Sequence, residues 1–156
     1  MTTAVVILAI AVGLAVVAVV VKVILGFLKA NGESRIQETY RSDEILLQNL
    51  MANSFGLESL GLSQVRGNGA LVLTRQGLHF FQYVPKREVR IPLTAIMAVS
   101  LTKSHLGKVT VYDLLKVEFL ADGQKDSIAW YVANAAEWKR QIEELRQTSS
   151  ASSAGL

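Results

Sequence analysis

The segment LLKVEFLADGQKDSIAWYVANAAEWKRQIEEL, residues 114–145, changes its hydrophobic period halfway along, and that change decides the fold. Leu115, Val117 and Phe119 alternate with Lys116 and Glu118, Asp122-Gly123 turns the chain, and Ile128, Trp130 and Val132 again fall at every second residue. From Asn134 the spacing becomes helical, with Trp138, Ile142 and Leu145 at i, i+4 and i+7 on one stripe. Asn134 and Glu137 have the spacing of a capping box, and Lys139 with Glu143 and Arg140 with Glu144 form i,i+4 pairs on the wet side. Two strands joined by a tight turn therefore run into one amphipathic closing helix.

Working backwards, short apolar runs recur between turn signals at intervals of about ten residues, the pattern of an all-β domain. A first strand over 44–54 carries Ile45-Leu46-Leu47 and Leu50-Met51, a run that also suits a helix, and 56–63 reads as a loop. A second strand over 64–74 turns at Arg75-Gln76-Gly77 into a third over 78–84. After Pro85-Lys86-Arg87 the fourth alternates Val89, Ile91 and Leu93 with Glu88 and Arg90, and Pro92 marks an edge or a bend. The fifth covers 95–101, the sixth 114–120 and the seventh 126–132, giving seven strands and a helix.

Ahead of this domain, Ala4 to Val21 is eighteen residues without a charge, followed by Lys22 and a second apolar stretch to Leu28. Eighteen helical residues span about 27 Å, enough to cross a hydrocarbon core of about 30 Å with the residues that follow. No basic residue precedes the run, so it reads as a retained anchor rather than a cleaved signal. Lys22 marks its end, because its stem carries the ammonium to the interface. Lys22, Lys29 and Arg35 all follow the span, which predicts a single-pass protein in the cell membrane with its N-terminus outside and its C-terminal domain cytoplasmic. Ala4, Ala11, Ala15 and Ala18 line one face of the anchor, a candidate helix-packing face for a homodimer.

The expected organisation is an anchor over 1–30, a juxtamembrane linker over 31–43, a β domain over 44–147 and a disordered tail over 148–156, whose Ser/Ala composition forms no core. The formal charge is +3, but with Lys22 and Lys29 set aside the rest carries 14 Lys+Arg against 13 Asp+Glu, so the basic pI does not imply nucleic acid. With no cysteine in 156 residues, a disulfide framework and a thiolate metal site are excluded.

Seven strands closed by one C-terminal helix is the element order of the pleckstrin-homology (PH) superfold, in which two orthogonal sheets form a barrel plugged by the helix. Gly69-Ala70-Leu71-Val72-Leu73-Thr74, Gly77-Leu78-His79-Phe80-Phe81 and Ile91-Pro92-Leu93-Thr94-Ala95-Ile96 look like the second-to-fifth strand region of bacterial PH-like and GRAM-like domains. Ser104-His105-Leu106-Gly107-Lys108 resembles a segment of uncharacterised bacterial proteins with an N-terminal anchor. The resemblance covers about 44–147 and implies a fold rather than an activity. Phosphoinositide-binding members resemble one another in a basic loop between the first two strands, whereas 56–68 here supplies only Arg66, opposed by Glu58.

His79 and His105 are the only histidines and have no third partner at metal-ligand spacing, so neither a metal nor another cofactor is expected. No nucleophile elbow, phosphate-binding loop or dinucleotide loop is present, and the chain is expected not to be an enzyme. The strongest charge feature is 86–108, where Lys86, Arg87, Arg90, Lys103 and Lys108 face Glu88 alone. If folded together these five are candidate contacts to an anionic lipid, and if not they are solvated edge charges that keep strands from pairing. The expected function is a membrane-anchored, non-enzymatic binding or adaptor module presenting a cytoplasmic PH-like domain to a protein partner or an anionic lipid surface. The alternative is a small structural or assembly protein that forms homo-oligomers through its anchor.

Overall fold

The computed structural model describes residues 2–153. In chain order these form helix α1 (Thr2–Thr39), strands β1 (Ile45–Leu57), β2 (Gly67–Thr74), β3 (Gly77–Gln82), β4 (Arg87–Pro92), β5 (Ile96–His105), β6 (Lys108–Ala121) and β7 (Gln124–Tyr131), and helix α2 (Ala135–Ser153). The strands are antiparallel in the order β4-β3-β2-β1-β7-β6-β5. β1 joins the two halves: Ile45 to Ser54 pairs with β2, and Asn53 to Leu57 pairs with β7. Register shifts between Asn49 and Ala52 and between Ser54 and Leu57 allow one strand to serve both halves, since a bulge bends the strand that carries it.

Period-two alternation sends Leu71, Leu73, Leu78, Phe80, Ile91, Leu115, Val117, Ile128 and Trp130 into one core, which α2 closes with Trp138 and Ile142. Each of these side chains contributes about 2 kcal/mol on leaving water. The seven-stranded, helix-capped class expected from the sequence is therefore what forms. Several boundaries differ. β5 and β6 are much longer than the alternation indicates, because 102–113 forms the distal half of their hairpin rather than a loop. His105 ends β5 and is buried there.

Both helices also outrun their expected ends. α2 continues through Thr148 to Ser153, where a disordered tail was expected, and residues 154–156 of that tail lie outside those described. Its N-terminus is not a capping box: Asn134 has φ 55° and uses its backbone carbonyl to accept from Glu137 and Trp138. The Glu137 carboxylate accepts instead from Arg140 and Gln141. The Lys139–Glu143 and Arg140–Glu144 pairs form as expected.

α1, long and apolar enough to cross a membrane, does not stop at the polar Asn31-Gly32-Glu33-Ser34 but runs to Thr39, so most of the juxtamembrane stretch is helical. Its last turns pack on the outer face of β2 and β3, where Ile36 is buried with Ala70, Val72, Phe81 and Tyr83, and Leu28, Tyr40, Ile45, Leu50 and Met51 border the cluster. Gly32 lies so close to Tyr83 that a Cβ there would collide with the phenol ring. Eight residues further on, the Tyr40 hydroxyl is 3.0 Å from His79 Nδ1. Gly32 to Tyr40 spans about 12 Å of helix and His79 to Tyr83 about 13 Å of strand, so the helix lies along β3 and antiparallel to it. Followed towards its N-terminus, α1 leaves the domain beyond Tyr83, at the end where β3 turns into β4.

Candidate functional site

That end is formed by two connections. β1 leads through a 3-10 turn, Glu58–Leu60, and residues 61–66 into β2, and residues 83–86 join β3 to β4. The first connection is short of regular structure yet fixed at four points. The Asp126 carboxylate, almost fully buried on β7, accepts from Ser59 N at 3.0 Å, Ser59 Oγ at 2.6 Å and its own neighbour Ser127 N at 2.7 Å. Ser127 Oγ donates to Glu58 at 2.6 Å. The Gln64 amide folds back, donating to Gly61 O at 2.7 Å and accepting from Leu57 N at 3.1 Å. Lys108 Nζ reaches across from the β5–β6 hairpin to the carbonyls of Gln64 at 2.6 Å and Phe55 at 3.1 Å.

Apolar side chains on both connections stand in solvent. Leu62 is 70 %, Val65 84 % and, on the second connection, Val84 73 % exposed, with Leu60 half exposed beside them. Arg66, stacked on the Phe55 ring at 4.0 Å, and the exposed Lys86 and Arg87 stand on the same connections. Between the two lies a hollow of about 170 Å³ lined by Ser54, Gly56, Gln64, Gln82, Arg87 and Val89. The result is a braced platform with apolar tips, a hollow that Leu57, Val65, Pro85 and Ile128 make mainly apolar, and basic neighbours.

Removing the Asp126 carboxylate leaves three donors without an acceptor, each costing about 1 kcal/mol or more. Asp126→Ala is expected to lower stability by about 3 kcal/mol and to raise hydrogen exchange at 58–66 well above that of β2. Urea unfolding with exchange mass spectrometry checks both.

The five basic residues, candidate lipid contacts if folded together and solvated edge charges if not, are placed as follows. Lys86 and Arg87 lie at this end. Arg90 faces the α1 side of β4, where its Nε is 3.2 Å from His79 Nε2. Lys103 and Lys108 belong to the β5–β6 hairpin, and Lys108 is occupied by its two carbonyls. Ala4, Ala11, Ala15 and Ala18 all lie exposed on α1. Leu60, Leu62, Val65 and Val84 were not singled out from the sequence. Leu60 and Leu62 fall in the stretch read as a loop, where apolar residues are the available signal, whereas Val65 and Val84 were read as strand ends.

Both histidines are buried and sit below their ordinary range. For His79 the cause is burial, then the Arg90 guanidinium; for His105 it is burial, opposed by its contact with Gly56 O at 2.9 Å. Glu88, which pairs with Arg35 at 2.7 Å, is held below the usual carboxylate range by hydrogen bonds from Arg35 and His79 that outweigh desolvation.

No family model matches the chain. Among solved structures it is similar to the Vps36 N-terminal PH domain, with a TM-score of 0.50 and 13% identity over 72% of this chain and 86% of that one, which shows a PH-like fold. Among curated sequences it is 28% identical over 106 residues to the crossover junction endodeoxyribonuclease RuvC of Rhizobium etli (strain CIAT 652), and equally so to that of Rhizobium leguminosarum bv. trifolii (strain WSM2304). The match covers 67% of this chain, which spans 60% of the length of those relatives. Likeness to named endonucleases overturns the expectation, drawn from missing motifs, that the chain is not an enzyme.

Proposed function

We propose that this chain is a membrane-anchored binding module: α1 crosses a bilayer, and the PH-like domain rests its braced end on the anionic cytoplasmic leaflet of the same membrane. The observation that carries this reading is the path of α1, which lies along β3 and leaves the domain at the end where Leu62, Val65 and Val84 protrude.

Distances along the helix support it. Leu28 touches the domain, and Lys22, where the apolar run first breaks, lies about 9 Å further along the axis. The headgroup layer on each side of the hydrocarbon is about 5–8 Å thick, so the end of the domain meets that layer and side chains that project from it reach the acyl boundary. Apolar tips beside basic residues suit such a boundary, and each Lys or Arg near an anionic surface contributes about 1 kcal/mol. The anchor holds these weak contacts at high effective concentration. The basic residues that follow the span favour the cytoplasmic leaflet.

The test uses the full chain in lipid nanodiscs with an environment-sensitive dye at Leu62→Cys, a site made unique by the lack of native cysteine. Dye emission is expected to shift to the blue in discs containing anionic lipid, less so in neutral discs or high salt. Reversing Arg66, Lys86 and Arg87 to glutamate is expected to remove the difference. Equal emission in neutral and anionic discs contradicts the lipid reading and turns the braced end towards a protein partner.

A further inference from the structure

The contact between α1 and β3 contains a cluster that neither the anchor nor the braced end uses. His79, 1 % exposed on the outer face of β3, has Tyr40, the residue that follows α1, on Nδ1 at 3.0 Å, with Glu88 Oε2 at 3.3 Å and Arg90 Nε at 3.2 Å both on Nε2. The Phe81 ring lies 3.7 Å from the imidazole, centroid to centroid. Charged and titratable groups face this cluster from every element around it: Arg35 on α1, Tyr40 directly after it, Glu44 ahead of β1, and Glu88 and Arg90 on β4. Glu88 supplies the negative charge at His79, yet it already pairs with Arg35 at 2.7 Å and lies 3.5 Å from Arg90.

We propose that this cluster is a pH-sensitive latch: protonation of His79 loosens α1 from β3 and frees the domain from the orientation that the docked helix imposes. The neutral ring is satisfied in either tautomer. With the proton on Nε2, Tyr40 donates to Nδ1 and Nε2 donates to Glu88. With the proton on Nδ1, the ring donates to the Tyr40 oxygen and Nε2 accepts from Arg90. The imidazolium has no such choice. Both nitrogens donate, the Tyr40 hydroxyl hydrogen and the Arg90 N–H lose the ring as acceptor, and three cations share one carboxylate around a ring that is itself buried. Burial and Arg90 already hold the docked imidazole below its ordinary value of 6.5. Undocking removes the share of that burial which α1 supplies, so the undocked imidazole titrates above the docked one and binds the proton first. Docking is strongest above the undocked value, weakens as pH falls through it, and changes no further below the docked value.

The latch rests on the proposed function only for what it releases, since its own readout involves no lipid contact. The full chain in nanodiscs carries nitroxide labels at Glu38→Cys on α1 and Gln147→Cys on α2, both exposed positions. The distance distribution between them is expected to be narrow at pH 7.5 and to broaden at pH 5.0, whereas in His79→Gln it is expected to change little between the two. A wild-type distribution that stays narrow at pH 5.0 overturns the latch, as does equal broadening in His79→Gln, which would place the response elsewhere. Should that variant not fold, the NMR titration of the two histidine rings decides. A His79 midpoint below 6.5 is expected, and one at or above 6.5 overturns the proposal. If the labels respond to pH while the dye at Leu62 shows no lipid dependence, the latch stands and the lipid reading falls.

Discussion

Gly32→Leu is expected to lift the last three turns of α1 off the sheet. A Cβ at this position meets the Tyr83 ring, and the ring cannot retreat, because its hydroxyl donates to Leu50 O at 2.6 Å and its body is packed beside Phe81 and Ile36. The clash cannot be relieved by a rotamer of the new side chain, since it begins at the first carbon. Overpacking of this kind costs about 1–3 kcal/mol where the surroundings yield and more where they do not. Separation re-exposes Ile36, Phe81 and Tyr83, at about 2 kcal/mol each. The same label pair on α1 and α2 reads the result, which is a broad distance distribution already at pH 7.5. Gly13 and Gly26 have open space around them on the same helix, so Gly26→Leu is expected to leave the distribution narrow. That contrast separates docking from any general effect of leucine in α1.

The second large effect is on the domain itself. Trp138→Ala is expected to lower its stability by about 3–5 kcal/mol, the range for removing a buried aromatic side chain from a packed core. Trp138 is the first residue of the α2 stripe to enter the barrel, and Ile142 and Leu145 follow it into the same cluster. Without the indole the helix has a hole beneath its first turns, and the surrounding strands, fixed by their ladders, cannot close it. Lys139→Ala removes only a surface ion pair with Glu143 and is expected to cost less than about 0.5 kcal/mol. Thermal unfolding in detergent micelles, followed by circular dichroism, distinguishes the two by many degrees in Tm.

Most of the domain was readable because its side chains obey one period at a time. Leu115-Val117-Phe119 and Trp138-Ile142-Leu145 each satisfy a single template, and the structure follows both. What the sequence did not reveal are features that depend on two elements at once. Ala70 to Leu73 is an uninterrupted apolar run, which means a strand covered on both faces. Nothing local, however, says that the second cover is the end of α1, because 31–39 is polar and carries Ile36 as its buried contact.

The braced end was hidden for a related reason. Asp126 and Ser59 lie 67 residues apart in sequence, and Gln64 is braced by a lysine from another hairpin, so the loop reads as ordinary until those partners are placed. Whether basic residues near one another in sequence share a surface was open in the sequence; alternation along β4 sends Arg90 towards α1 and leaves Arg87 at the hollow.

Depth-resolved quenching tests the central claim most directly. The full chain, in bilayers containing lipids brominated along their acyl chains, is labelled in turn at Leu62, Val84 and Arg75, the last on the β2–β3 turn at the opposite end of the strands. The account predicts strong quenching at Leu62 and Val84, greatest with bromines near the headgroup, and none at Arg75. Quenching at Arg75 with none at Leu62 and Val84, or equal accessibility of all three to a water-soluble quencher, would contradict it.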